Sequence, residues 1–97
     1  MSQPFTAIAT LIAKPGQQDV LERYLRALLE PTRAEAGCSQ YDLLVDQQNP
    51  HAFYMIERWS GDAALQAHDA SAHIQAFRAK AGDVLEHFEL KRLQALA

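Results

Sequence analysis

Residues 39–59 read SQYDLLVDQQNPHAFYMIERW, and this segment predicts a β-hairpin at the centre of the chain. Tyr41, Leu43 and Val45 alternate with mostly polar neighbours, which is the period of a strand with one buried face. A turn is expected at residues 47–50, where the sequence is QQNP. The hairpin therefore pairs residues 39–46 with residues 53–59.

The sequence before the hairpin predicts one strand and one helix. Residues 5–13 contain isoleucine, threonine and no charge, which favours a strand. Apolar side chains between Val20 and Leu29 recur at helical spacing, so a helix follows the strand. We expect Pro31 to kink this helix or to start a new turn. We expect Gly37 to end it, because glycine tolerates the left-handed conformation of a C′ residue.

The sequence after the hairpin predicts helical structure and then a final strand. Asp62 is expected to be the N-cap of a helix that extends to about residue 80. An interruption is expected near residues 69–71, where Ser71 can cap a second helical segment. Residues 88–96 again alternate and predict the last strand.

The resulting order, β-α-β-β-α-β, predicts an α+β fold of the ferredoxin-like, split βαβ type. One antiparallel sheet would be covered by helices on one face, in a single domain that spans residues 1–97. The other face of the sheet would be bare in a monomer. Exposed apolar surface of that size usually binds a partner, so we expect a homodimer whose two sheets stack face to face.

Composition and charge exclude several classes of protein. Nine Lys and Arg residues against twelve Asp and Glu residues leave a net charge of −3, so we expect no nucleic-acid partner. No apolar run approaches the roughly 18–20 residues of a membrane span, and the N-terminus has no features of a secretion signal. Cys38 is the single cysteine and cannot form an internal disulfide. We therefore expect a soluble protein of the cytoplasm.

Two of the four histidines, His68 and His73, are candidates for proton transfer, because imidazole titrates near neutral pH. On one unbroken helix they would point about 140° apart, whereas helical metal-binding pairs are spaced i, i+4. Only a break near residues 69–71 could bring both into one cavity. The alternative is that each is a partly exposed polar residue, and we expect no metal site. His51 and His87 are expected to be solvated.

Glu57 interrupts an apolar strand and shares its inward face with Phe53, Met55 and Trp59. A buried carboxylate is costly unless it is paired or hydrogen-bonded. One interpretation is a buried ion pair with an arginine. The other is a general base whose pKa is raised beside an aromatic wall. Trp59 and Tyr41 could line that wall, as could Phe77, which is four residues from His73; core packing is the alternative for each.

The order and spacing of several motifs make the sequence similar to a known family. The motifs are Ala13-Lys14-Pro15-Gly16, Pro31-Thr32-Arg33-x-Glu35-x-Gly37-Cys38, Tyr41-Asp42-Leu43, Asp46, Asn49-Pro50, Phe53, Glu57-x-Trp59, Ala64-Leu65, and His68, Ser71, His73 and Phe77. Over residues 5–96 the chain resembles the antibiotic biosynthesis monooxygenase family, and within it the quinol monooxygenases.

This resemblance implies a dimeric α+β barrel and a function. Characterised members oxidise hydroquinone-like or anthrone-like rings with O₂ and use neither metal nor flavin, so no cofactor is expected. The ring would be held by Tyr41, Phe53, Trp59 and Phe77. A proton would go to His68 or His73, and Glu57 would orient an imidazole or be structural. Two alternatives stay open within the same fold: an isomerase or enolising enzyme acting on a small carbonyl compound, and a ligand-binding dimer without turnover.

Overall fold

The computed structural model describes residues 3–97, which form four strands and three helices. In chain order these are β1 (Phe5–Ala13), α1 (Gln18–Arg33), β2 (Cys38–Asp46), β3 (Asn49–Trp59), α2 (Asp62–Asp69), α3 (Ala72–Ala81) and β4 (Leu85–Leu93). The predicted order is confirmed, and the second helical region is divided at residues 70–71 as expected. Among these residues, no helix has the length and apolar character needed to cross a membrane.

The strands form one sheet in the order β2-β3-β1-β4, and each neighbouring pair is antiparallel. Phe5 lies opposite Trp59 in β3, and Thr6 lies opposite Leu93 in β4. Strand β1 is therefore central, with β3 between it and β2. This is the order of two interlocked split βαβ units, and it confirms the ferredoxin-like α+β fold.

The core lies between one face of the sheet and the helices. In α1, Leu21, Leu25 and Leu28 recur at helical spacing and are buried. They face the alternate residues of β1 that point the same way, among them Ala9 and Leu11. Three of the five buried residues of β1 are alanines, so this strand contributes little side-chain bulk to the core.

Three predicted boundaries are wrong. Strand β3 begins at Asn49, since Asn49 pairs with Asp46 and the turn is only residues 47–48. Strand β4 spans Leu85–Leu93 rather than residues 88–96, and its pairing with β1 ends at Thr6 opposite Leu93. Gly61 is the N-cap of α2, and Asp62 is the first helical residue. The Asp62 carboxylate pairs with Arg92.

The helix α1 also ends differently from the prediction. It continues through Pro31 and ends at Arg33, where the Ala34 amide donates to the Glu30 carbonyl at 3.2 Å. Gly37 does not adopt the left-handed conformation, since Gly16 is the glycine of residues 3–97 with a positive φ. Its role is close approach instead: a Cβ there would lie 2.3 Å from the Cβ of Ala64 in α2. Glycine at 37 therefore lets the turn after α1 pack against α2.

Candidate active site

The interruption between α2 and α3 brings two histidines together. The Ser71 hydroxyl accepts a hydrogen bond from the Ile74 amide at 3.4 Å and donates one to the His68 carbonyl at 2.6 Å. These contacts end α2 and cap α3, as the sequence predicted. The His68 and His73 rings consequently lie with their centroids 6.0 Å apart.

Both imidazoles bind the same carboxylate oxygen of Glu35, in the turn between α1 and β2. His68 Nδ1 lies 2.8 Å from Glu35 Oε2, and His73 Nε2 lies 2.9 Å from it. For this oxygen to accept from both rings, Nδ1 of His68 and Nε2 of His73 must carry the hydrogens. Glu35 belongs to one of the family motifs, but no role was predicted for it. Its partners are 33 and 38 residues away, and a turn residue has no periodicity to indicate which way it faces.

His68 is buried, with 4% of its surface exposed, and it is enclosed by aromatic rings. Its ring centroid is 4.6 Å from that of Trp59 and 5.6 Å from that of Tyr41. Because Glu35 occupies Nδ1, the second nitrogen, Nε2, is the one left for a bound molecule. The ring is thereby held in one tautomer and one orientation, as a proton acceptor requires.

Glu57 lies on the inward face of β3, as alternation predicted, and is 4% exposed. The Trp59 indole N–H donates a hydrogen bond of 2.9 Å to Glu57 Oε1. Among residues 3–97, no lysine, arginine or histidine forms an ion pair with this carboxylate, so the ion-pair interpretation is wrong. The pKa of Glu57 is raised to about 7, mainly because the carboxyl is buried. The hydrogen bond from Trp59 lowers this pKa, and the charges of Asp69 and Glu35 raise it; both effects are smaller than that of burial.

Tyr41 lies directly across from Glu57 in the β2–β3 pairing and is 3% exposed. Burial raises the pKa of its phenol above the ordinary value, and the nearby Glu57 charge acts in the same direction. The phenol is therefore neutral at physiological pH and can donate a hydrogen bond. Three kinds of group therefore lie together. Tyr41 is a hydrogen-bond donor, Glu57 is a carboxyl that titrates near neutral pH, and His68 is a proton acceptor.

These three side chains share a cleft between the sheet and the helices. The enclosed space of the cleft is about 70 Å³, and the volume rises to about 510 Å³ only when the open space at its mouth is counted. Apart from them and the rim residues Asp69 and Arg78, its walls are apolar, formed by Ala9, Leu11, Leu25, Leu28, Met55, Leu65, Ile74, Phe77, Phe88 and Leu90. Such a cleft, apolar with a few convergent polar groups, is typical of a small-molecule site.

The candidate residues named from sequence do not all reach this cleft. Tyr41, Glu57, His68 and Phe77 line it. Trp59 is fully buried, and it supports His68 and Glu57 from behind. His73 lies beyond Glu35 and is partly exposed. Phe53 is buried and lines a separate groove between α1 and the hairpin.

The structure defines a small ferredoxin-like α+β domain with an acid–base cluster in an apolar cleft. Among domains of this class, the chain belongs to the antibiotic biosynthesis monooxygenase family, whose model matches residues 4–80. This confirms the family that the sequence motifs indicated.

Individual relatives cover nearly the whole chain. The crystal structure of PA3566 from Pseudomonas aeruginosa is 48% identical, with a TM-score of 0.95 over 100% of this chain and 98% of that one. A protein named "Putative monooxygenase Rv0793", from Mycobacterium tuberculosis, is 34% identical over 88% of this chain and 83% of its own length. "Probable quinol monooxygenase YgiN" of Escherichia coli is 34% identical over 84% of this chain and 88% of its own length.

Proposed function

We propose that this protein is a cofactor-independent monooxygenase that oxidises quinol-like or polyphenolic aromatic compounds with O₂. The observation that carries the proposal is the hydrogen bond between Glu35 and Nδ1 of His68, a residue that lines an apolar cleft together with Tyr41 and Glu57. Membership of the monooxygenase family and the quinol monooxygenase name of one relative support the same activity.

The first step is removal of a proton from the bound phenol. Nε2 of His68 takes the hydroxyl proton, and Glu35 stabilises the imidazolium that forms through the bond to Nδ1. The resulting anion is electron-rich and passes an electron to O₂ directly. His73, on the same carboxylate oxygen, helps to hold Glu35 in place, and Trp59 holds the His68 ring from behind.

The overall reaction balances without an outside reductant. The quinol loses four electrons, and O₂ accepts them. One oxygen atom of O₂ enters the ring as a hydroxyl group. The other oxygen atom leaves as water together with two hydrogens from the quinol. The products are a hydroxylated quinone and H₂O. The neutral Tyr41 phenol and the Glu57 carboxyl, when protonated, donate hydrogen bonds to substrate oxygens as negative charge develops on them. The apolar walls keep bulk water from the intermediates.

The protein is proposed to act as a homodimer in the cytoplasm. The sheet face opposite the helices carries Ile8, Ile12 and Ile56, which are only partly buried within one chain. Stacking this face on a second copy would cover them, while each cleft stays between its own sheet and helices. Light scattering should give twice 10.8 kDa, and a mass of 10.8 kDa at micromolar concentration would contradict the dimer.

The activity is tested by oxygen uptake with menadiol and related quinols, measured against spontaneous autoxidation. His68→Gln should lower the enzymatic excess by about 100-fold or more, the usual contribution of a general base. His51→Gln, a matched change at the far end of β3, should leave it unchanged. No excess over the blank across several quinols would contradict the proposal. Turnover of a carbonyl compound without oxygen would favour the enolising alternative instead.

A further inference from the structure

We propose that Glu35, His68 and His73 form a binding site for a divalent transition-metal cation, for which Zn²⁺ is the probe. The proposal goes beyond the monooxygenase activity, which needs no metal. It rests on the arrangement of three side chains from three separate parts of the chain: the turn after α1, the end of α2 and the start of α3.

The donor atoms have the identity and spacing of a metal site. Nδ1 of His68, Nε2 of His73 and a Glu35 carboxylate oxygen all lie within 4.8 Å of one another. Two imidazole nitrogens and one carboxylate oxygen form a ligand set common to Zn²⁺ and to other first-row metals. With bonds of about 2.1 Å, tetrahedral ligand atoms are separated by about 3.4 Å. The two nitrogen–oxygen distances of 2.8 and 2.9 Å would open by about half an ångström, and the nitrogen–nitrogen distance, which is within 4.8 Å, would close toward about 3.4 Å.

The charge of the cluster also favours a cation. The Glu35 side chain is 17% exposed, and the only ion-pair partners it has among residues 3–97 are the two imidazoles. Arg33 and Arg78 are paired instead with Asp42 and Asp69, at 3.4 and 3.3 Å. A partly buried carboxylate with no lysine or arginine beside it has a countercharge to gain from a bound M²⁺ ion.

The cluster is partly accessible to solvent through His73. The His73 side chain is 22% exposed, so an ion can reach the three donors from the solvent side without passing through the cleft. Water can then complete the coordination, as in three-ligand zinc sites. A cation on Nδ1 of His68 leaves Nε2 as an N–H donor toward the cleft. On the proposed function, metal loading therefore inhibits proton abstraction.

The test is a Zn²⁺ titration of the chelator-treated protein against a chromophoric competitor. Wild type should bind one Zn²⁺ per chain, and Co²⁺ should give visible d–d bands of a four- or five-coordinate ion. His73→Ala and Glu35→Gln should each weaken binding by at least about 10-fold. The control His51→Ala should bind as wild type does.

The result is independent of activity, because the titration needs no substrate. If wild type binds Zn²⁺ no more tightly than His73→Ala does, the proposal is overturned. The three side chains would then form a hydrogen-bonded triad only. His73 is partly exposed, so this variant is expected to fold, and circular dichroism verifies it. If Glu35→Gln fails to fold, the comparison with His73→Ala and the Co²⁺ spectrum still decide the question.

Discussion

Replacing Glu57 by glutamine should make the protein more stable at neutral and alkaline pH. Burial raises the pKa of this carboxyl from its ordinary value of 4.5 to about 7 in the folded state. Each pH unit between these values is worth about 1.4 kcal/mol, so the ionised carboxylate costs the folded state about 3 kcal/mol. Glutamine removes the charge and keeps an oxygen that accepts the Trp59 N–H.

The sign of the pH dependence follows from the direction of the pKa change. The folded pKa lies above the unfolded one, so folding takes up a proton at Glu57 between them. The stability of wild type relative to Glu57→Gln should be highest below about pH 4.5, fall as the pH rises to about 7, and stay level above that value.

The assay is urea unfolding followed by far-UV circular dichroism at pH 5, 6, 7 and 8, at one protein concentration. Glu57→Gln should exceed wild type by up to about 3 kcal/mol at pH 8 and by less than about 1 kcal/mol at pH 5. The matched control is Glu86→Gln, since Glu86 is exposed in β4. A difference between wild type and Glu57→Gln that does not vary with pH, or that has the opposite sign, would refute the account of this carboxyl.

Three further substitutions test the architecture around the site. Gly37→Ala should lower the free energy of unfolding by about 1–3 kcal/mol in urea titrations, because its Cβ overlaps α2, while Gly82→Ala, with open space around it, should not. Ser71→Ala should cost about 1 kcal/mol in the same titrations through loss of the α3 cap; an unchanged value would contradict that role. Trp59→Phe removes the donor to Glu57 and should raise its pKa above about 7, measured by ¹³C NMR titration; a lowered pKa would contradict the hydrogen-bond assignment.

Most of the fold could be predicted because its information is local. Alternation in residues 39–46 and 53–59 identified the hairpin, and the spacing of leucines identified α1. The same alternation placed Glu57 on the inward face, where the structure has it. The errors fell at strand boundaries, where pairing with another strand decides the end: β4 ends at Leu93, which pairs with Thr6 of β1.

The site was predictable only in part because it depends on contacts distant in sequence. His68 and His73 were identified from residue type, and their convergence depended on the break at Ser71 that the sequence indicated. Glu35, which joins them, lies in a turn with no period, so nothing local showed where its carboxylate points. Phe53 has the alternation of a core residue, but which cavity it lines depends on how α1 packs on the hairpin.

The most direct test of the central claim is the fate of oxygen in a turnover under ¹⁸O₂. Incubation with menadiol should give a hydroxylated quinone that carries one ¹⁸O atom by mass spectrometry, with the second atom in water. Yield should fall to the autoxidation blank in His68→Gln and stay at the wild-type level in His51→Gln. Product that lacks ¹⁸O, or labelled product that His68→Gln forms as fast as wild type, would contradict a monooxygenase in which His68 takes the proton.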